Sequence, residues 1–304
     1  MPGMADPSDR KIKNRSYEKC SYDSYCSSIS PEQVDLPEVP SNIVVVDESS
    51  SDDLKEAFFT CLSDSFCGTT TSAGEPVLSW VVAATKEEAA SIDHCKPLKE
   101  EPSAERKAFF KEFMKFLFIN ANKHRMCLAL KNEQGEVVAG TICYPPNDRD
   151  LHNSFNGTCE FMRIVNELGG FSKMHPYWSV GRQAKAFHIV GQTMAKGHHD
   201  AMNKERHVYV CCFGTHPAHQ GKGCGGILMA FLNTCADKWQ VPSYLECNGV
   251  KNETFYGKHG YKEKKRMTIV LDGDAEFKPD GLEGMAAMVR PSASSFSEAV
   301  GLLG

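Results

Sequence analysis

One stretch constrains this chain more than any other. An apolar run, His207 to Phe213, reads as a β-strand. It enters a turn containing Pro217, and Gly221, Gly223, Gly225 and Gly226 then lead into a helical pattern. A strand feeding a helix through a glycine-rich turn requires a sheet with helices packed on its faces. It also leaves several backbone N–H groups unpaired at the positive end of a helix dipole, an arrangement that suits a phosphate or diphosphate.

The rest of the chain agrees with a sheet and covering helices. Ile43 to Val46 is a short strand, and a helix follows over about 53–64 with Asp52 or Asp53 as its cap. The loop 68–76 is rich in turn residues, and Pro97 and Pro102 break the connection 93–102. Over 104–124 Phe109, Phe110, Phe113, Met114, Phe116 and Leu117 recur at helical spacing, a stripe read as core. A hairpin joins Arg125–Leu130 to Val137–Tyr144 through the turn 132–135, and Pro145-Pro146 ends it. Residues 150–205 read mostly as helix with a break at Gly169-Gly170, and His198-His199 reads as part of a polar, solvated loop.

A helix over 223–239 presents Ile227, Leu228, Phe231, Leu232, Cys235 and Trp239 on one face. Strands are expected at 243–247, 266–271 and 286–289, with a short helix at 252–259. Residues 1–41 lack an apolar period and read as a disordered or loosely attached tail. The folded domain is expected over 42–291, with a short C-terminal tail at 292–304.

Composition narrows the function classes. The formal net charge of −5 argues against a nucleic-acid partner, which calls for a basic field. No apolar run approaches membrane-spanning length, so no membrane partner is expected. The 13 cysteines contain no C-x-x-C pair, and they read as reduced, mostly buried thiols of a cytoplasmic protein. His216, His219, Cys211 and Cys212 could be taken for metal ligands. The adjacent cysteines point to opposite faces of a strand, and no metal site is expected.

Three phosphate-loop readings compete. The Walker A spacing fails, because six residues separate Gly214 from Gly221-Lys222 and the next residue is glycine rather than Ser or Thr. The dinucleotide pattern G-x-G-x-x-G is formally present at Gly221, Gly223 and Gly226, and Glu246 lies about 20 residues on. The third pattern is Q/R-x-x-G-x-G/A, met by Gln220, Gly223 and Gly225. It is followed, one helix and one strand later, by Asn252, Phe255, Tyr256, Gly260 and Tyr261 in the order Asn-x-x-hydrophobic-Tyr-x-x-x-Gly-Tyr.

These two elements together resemble the GNAT N-acetyltransferase superfamily. His207-Val-Tyr, Leu245-Glu246 and Tyr144-Pro-Pro look like the branch containing puromycin N-acetyltransferase. The resemblance spans roughly 43–291 and is tight over 207–261. It implies a mixed α/β fold, a mostly antiparallel six- or seven-stranded sheet with splayed central strands and flanking helices.

It also implies acetyl-CoA as acyl donor and a small-molecule or peptide amine as acceptor. Phe213 and Thr215 would line the pantetheine, and Gln220, Gly221, Lys222, Gly223, Cys224 and Gly225 would hold the diphosphate. Asn252 would contact the pantetheine arm, and Tyr256 would both touch the cofactor near its sulfur and protonate the departing thiolate. Glu246 is the candidate general base; its other reading is a solvated or paired strand-end carboxylate. His207 either orients substrate or starts its strand, and Cys224 is read as a packing residue. A non-catalytic acyl-CoA-binding module is the alternative function.

Overall fold

The computed structural model describes residues 35–91, 93–121, 126–146, 165–170, 175, 181–203, 205–271, 273 and 276–293. The expected N-terminal tail up to residue 34, most of 150–180 and the end of the chain lie outside these. The elements in chain order are β1 (Ile43–Val45), α1 (Asp52–Cys67), α2 (Pro76–Val82), α3 (Lys86–Ser91), α4 (Ala104–Ala121), β2 (Cys127–Lys131) and β3 (Val137–Tyr144). Then come α5 (Gly181–Met202), β4 (Val208–Thr215), α6 (Cys224–Lys238), β5 (Ser243–Cys247), α7 (Val250–Lys258), β6 (Lys262–Met267) and β7 (Met285–Arg290).

The strands form one seven-stranded, mostly antiparallel open sheet in the order β1-β2-β3-β4-β5-β7-β6. Only β4 and β5 run parallel, and they pair over just two positions, Val208 with Ser243 and Tyr209 with Tyr244. β4 continues to Thr215 and β5 to Cys247 without further pairing, so the two central strands diverge. Between β3 and β4 the register skips Cys211, which sits in a bulge opposite the Ile142–Cys143 step. A bulge of this kind bends its strand and adds twist, and here it lies at the start of the divergence.

Alternation along the strands builds a core on each face. Leu128 and Leu130 of β2 join Leu228, Leu232 and Cys235 of α6 on one side. Cys127 and Ala129 join Phe58 and Leu62 of α1 and Met114 and Phe118 of α4 on the other. A third cluster ties Trp80 of α2, Phe109 of α4 and Ala186 of α5 to Tyr244, Met267 and Met285. Because helices cover both faces of β3, seven of its eight residues are buried, and the strand shows no polar alternation.

Several local expectations need correction. The cap of α1 is Ser51, whose Oγ accepts from Leu54 N at 3.3 Å, while Asp52 and Asp53 occupy the first turn. Ile227 is 50% exposed and does not belong to the buried face of α6. β6 begins at Lys262 and ends at Met267, earlier than its apolar residues suggest. It is an edge strand whose first three residues are exposed, and such a strand carries charge rather than hydrophobic alternation. α2 and α3 were not foreseen: α2 opens on Pro76 at its first turn with Glu75 as cap, a start masked in sequence by the turn-rich loop before it. Residues 35–39 run against α6: Trp239 Nε1 donates to Asp35 O, Lys238 Nζ donates to Leu36 O, and Leu36 and Val39 pack on the core.

Candidate functional site

The divergence of β4 from β5 opens a cavity of about 930 Å³. At one end lie Gln220, Gly221 and Gly223 to Gly226; along its length lie Phe213 to Thr215 of β4 and Asn248, Asn252 and Tyr256 beyond β5; at the other end lie Tyr209, Cys211 and Glu246. Helices close the far wall with Phe113 and Leu117 of α4 and Phe187, Val190 and Met194 of α5. The aromatic stripe of α4 therefore divides: Phe109, Phe110 and Met114 are core, and Phe113 and Leu117 face the cavity.

The glycine-rich turn has the geometry of an anion cradle. α6 opens at Gly223 with no side-chain cap, and its first intrahelical bond runs from Ile227 N to Gly223 O at 3.2 Å. The amides of Cys224, Gly225 and Gly226 precede that bond and have no partner within the helix. Gly221 and Gly223 hold φ of +75° and +84°, a region other residues enter only with strain. A Cβ at either would meet nothing within 4 Å, so the space above them is open.

Gly225 serves a different purpose: a Cβ there would come 3.0 Å from Thr215 Oγ1 and 3.5 Å from Phe213 Cε1. Its missing side chain lets α6 lie close on β4, while its amide is among those left without a partner in the helix. Gln220 is likewise committed to the protein. Its N donates to Pro217 O, its Nε2 donates to Thr215 O at 3.2 Å, and its Oε1 accepts from Ser72 Oγ at 2.9 Å. Lys222 is exposed and does not line the cavity.

At the opposite end, Glu246 sits on β5, partly buried, and lines the cavity. Burial raises its pKa to about 7, against the opposing pull of the Tyr244 and Tyr209 hydroxyls. Tyr244 OH donates to Glu246 Oε1 at 2.9 Å. A carboxyl that titrates near neutral pH is suited to accept a proton from an amine. Cys211, in the bulge beside it, is pushed up to about 12 by burial and by the Glu246 charge, and it stays a thiol.

Tyr256 on α7 packs edge-on to Phe213, with ring centroids 6.3 Å apart, and to Phe255 at 5.2 Å. Burial holds its phenol well above the usual tyrosine range, so it remains a proton donor. Asn252 Nδ2 donates to Asn248 O at 3.0 Å, which ties α7 to the end of β5.

Two functional neighbours escaped sequence reasoning. Glu75 borders the cavity, caps α2 through Leu78 N and accepts from Asn248 Nδ2; burial raises its pKa. The acid directly before Pro76 at a helix start was the available signal. His198, read as solvated, is 4% exposed on the inner face of α5 and also borders the cavity. Its partner is His207, with Nε2 atoms 2.6 Å apart. His216 caps the turn before Gln220 through Ala218 N. Among the described residues, no three His, Cys, Asp or Glu side chains are gathered to hold a metal, and no helix is long and apolar enough to cross a membrane.

Residues 183–263, which contain the cradle, both diverging strands and α7, match the acetyltransferase (GNAT) domain family. The matched domain is that of N-acetyltransferases, which are acyltransferases. No curated protein matches the sequence. Among solved structures, the chain is similar to the polyamine N-acetyltransferase of Drosophila melanogaster, with 18% identity, 81% of this chain and 98% of that one covered, and a TM-score of 0.46. It is also similar to arylalkylamine N-acetyltransferase 2 of Aedes aegypti, with 11% identity, coverage of 82% and 97%, and a TM-score of 0.47. Nothing about the substrate of this chain follows from similarity at that level.

Proposed function

We propose that this chain, which carries a GNAT acetyltransferase domain, moves an acetyl group from acetyl-CoA to a primary amine of a small molecule or peptide by direct attack on the thioester. The observation that carries the reading is the two-pair contact between β4 and β5. The gap beyond it leads from an uncapped helix start to a buried carboxyl with a pKa of about 7.

The residues fit the donor. The open space over Gly221 and Gly223 and the unpaired amides at the start of α6 suit a diphosphate. From Val210 to Thr215 the edge of β4 facing β5 has no ladder partner, so its backbone groups are available to an amide-bearing arm such as pantetheine. Asn252 and Phe213 border the same channel. When bound, the donor supplies an activated acyl carbonyl and a thiolate leaving group.

The chain's own groups then have defined tasks. Glu246 takes the proton of the incoming ammonium, which leaves the amine neutral and nucleophilic. Backbone N–H groups on the open edge of β4 polarise the carbonyl. The Tyr256 hydroxyl, kept protonated by burial, donates a hydrogen bond to the departing sulfur and passes it a proton as it takes up the one released by the acylated nitrogen, so that no phenolate is left in the buried site. Lys222 adds at most a solvent-exposed positive charge, and Cys224 contributes its amide. The buried thiols, among them Cys127, Cys143 and Cys212, fit a reducing compartment such as the cytoplasm.

Calorimetric titration with acetyl-CoA and, separately, NAD tests the donor, and thiol release across a panel of amines, antibiotics and peptides tests the reaction. Binding of acetyl-CoA with amine-dependent thiol release is expected. Binding without release for any amine identifies a non-catalytic acyl-CoA module instead, and preference for NAD defeats both.

A further inference from the structure

α5 makes an unusually close approach to the sheet. A Cβ on Gly197 would stand 1.8 Å from Met267 Sδ of β6. The absence of that atom lets the helix settle on the sheet and carries the next residue, His198, among the rings at the start of the β4–β5 divergence. The His198 ring lies flat on Tyr244, with centroids 4.2 Å apart and planes 8° from parallel. Tyr209 and His207 flank it at 4.8 Å and 4.7 Å.

Hydrogen bonding fixes how this imidazole is held. His207 Nδ1 lies 2.6 Å from Glu205 O, and a carbonyl only accepts, so that nitrogen carries a proton. In the neutral pair His207 Nε2 then accepts, and His198 Nε2–H is the donor across the 2.6 Å contact. One edge of the His198 ring is thus pinned by His207, while its face lies on Tyr244. Tyr244 is fully buried, and its hydroxyl has its bond with Glu246.

We infer that His198 is a positioning residue: anchored by His207, its imidazole fixes the ring of Tyr244 and, through it, the hydrogen bond that Tyr244 donates to Glu246. The mechanistic meaning of this bond rests on Glu246 being the base. His198 acts on the carboxylate through Tyr244; it determines how firmly the carboxylate is held in its charged form. Loosening Tyr244 leaves burial less opposed, so Glu246 gives up its proton at higher pH.

Among the described residues, the neighbouring ionisable groups come from several elements. β4 supplies Tyr209 and the protonated Cys211, and β5 supplies Cys247, whose thiol feels the Glu246 charge. Glu75 borders the same cavity from the loop before α2. On α5 the neighbouring His199 and Asp200 lie outside the ring cluster, where Asp200 pairs with Lys265 of β6.

The test needs no acceptor substrate. Glutamate carboxyls labelled with carbon-13 are titrated by NMR in the full-length protein, and the Glu246 signal is identified by its loss in Glu246→Gln. The wild-type midpoint is expected near 7. Tyr244→Phe should raise it by about one pH unit, the order a single hydrogen bond to a carboxylate supplies. His198→Ala should move it in the same direction, and His198→Phe, which keeps a flat ring on Tyr244, should stay with the wild type.

The double variant His198→Ala/Tyr244→Phe should titrate as Tyr244→Phe alone, because both changes act through one bond. If His198→Ala does not fold, His198→Leu, which keeps bulk without a flat ring, takes its place. A wild-type midpoint in the His198→Ala or Leu protein, or full additivity in the double variant, overturns the inference. Survival of amine-dependent thiol release in Glu246→Gln would instead remove Glu246 from the base role, a separate failure that leaves the NMR result standing.

Discussion

The two ends of the cavity are built by opposite means. The cradle at Gly221 to Gly226 is almost entirely main chain: two left-handed glycines, an uncapped helix start and free amides, with Lys222 exposed and outside the lining, while Lys251 and Lys258 of α7 border the cavity. The Glu246 end is almost entirely side chain. Tyr209 from β4, Tyr244 and Glu246 from β5, and His198 from α5 are packed so that a carboxyl is partly desolvated while tyrosine hydroxyls hydrogen-bond it. The cradle should therefore respond to backbone conformation and hardly to charge, and the base end should respond to charge, pH and packing.

The largest effect expected from this contrast is on turnover. Glu246→Gln keeps the shape of the site and a partner for Tyr244 but cannot accept a proton. It should lower kcat by about 10²–10⁴-fold, the usual worth of a positioned base, while the dissociation constant for acetyl-CoA stays within about twofold. Steady-state thiol release together with calorimetry reads both quantities. Loss of acetyl-CoA binding in this variant would mean that the two ends are not separable.

The same substitution should reveal what the base costs the fold. The pKa of Glu246 is raised from 4.5 to about 7. Between those values the folded state holds a proton that the unfolded chain has released, so stability falls as pH rises through that window. Above pH 7 the full penalty, roughly 3 kcal/mol, is present. Glu246→Gln should accordingly be more stable than wild type at pH 8 by up to about 3 kcal/mol in urea unfolding, and equal to it at pH 4. An equal gain at both pH values would show that the carboxyl is not held out of water.

The contrast also explains what could be read from sequence. A cradle made of backbone must be written as glycines at fixed spacing, and Gly221, Gly223 and the helix after them are visible without a structure. The hairpin of β2 and β3 and the strand 243–247 were legible for a similar reason, since turn signals and short apolar runs are local. Glu246 could be singled out only because it follows a matched motif. His198 could not: adjacent histidines in a polar stretch look solvated, and what buries one of them is the contact of Gly197 with Met267, 70 positions away in the chain. Gly225 was visible, but the closeness of α6 to β4 that it permits was not, because only the structure sets Thr215 beside it.

Gly223→Ala should strike the cradle alone. Holding alanine at φ +84° costs about 1–2 kcal/mol, and its methyl would occupy the open space above the turn. Acetyl-CoA should bind about tenfold more weakly or worse by calorimetry, with the Glu246 midpoint unchanged in the NMR titration. A shifted midpoint would join the two ends and undo the contrast.

Lys222→Ala is the smallest change and the sharpest check on a backbone cradle. A cation in the middle of a glycine-rich turn invites the assumption that it binds the phosphates. Its side chain is exposed and does not border the cavity, so its pull on a diphosphate acts through water and is worth about 0.2–1 kcal/mol. The variant should bind acetyl-CoA no more than about fivefold more weakly at low ionic strength. The difference should vanish near ~0.5 M salt, where exposed charges are screened within a few ångströms. The Gly223→Ala loss, being conformational, should persist at that salt. Were the salt dependence to belong to Gly223→Ala and the large, salt-independent loss to Lys222→Ala, the diphosphate would be held by a charged side chain, and the division between a main-chain end and a side-chain end would not describe this site.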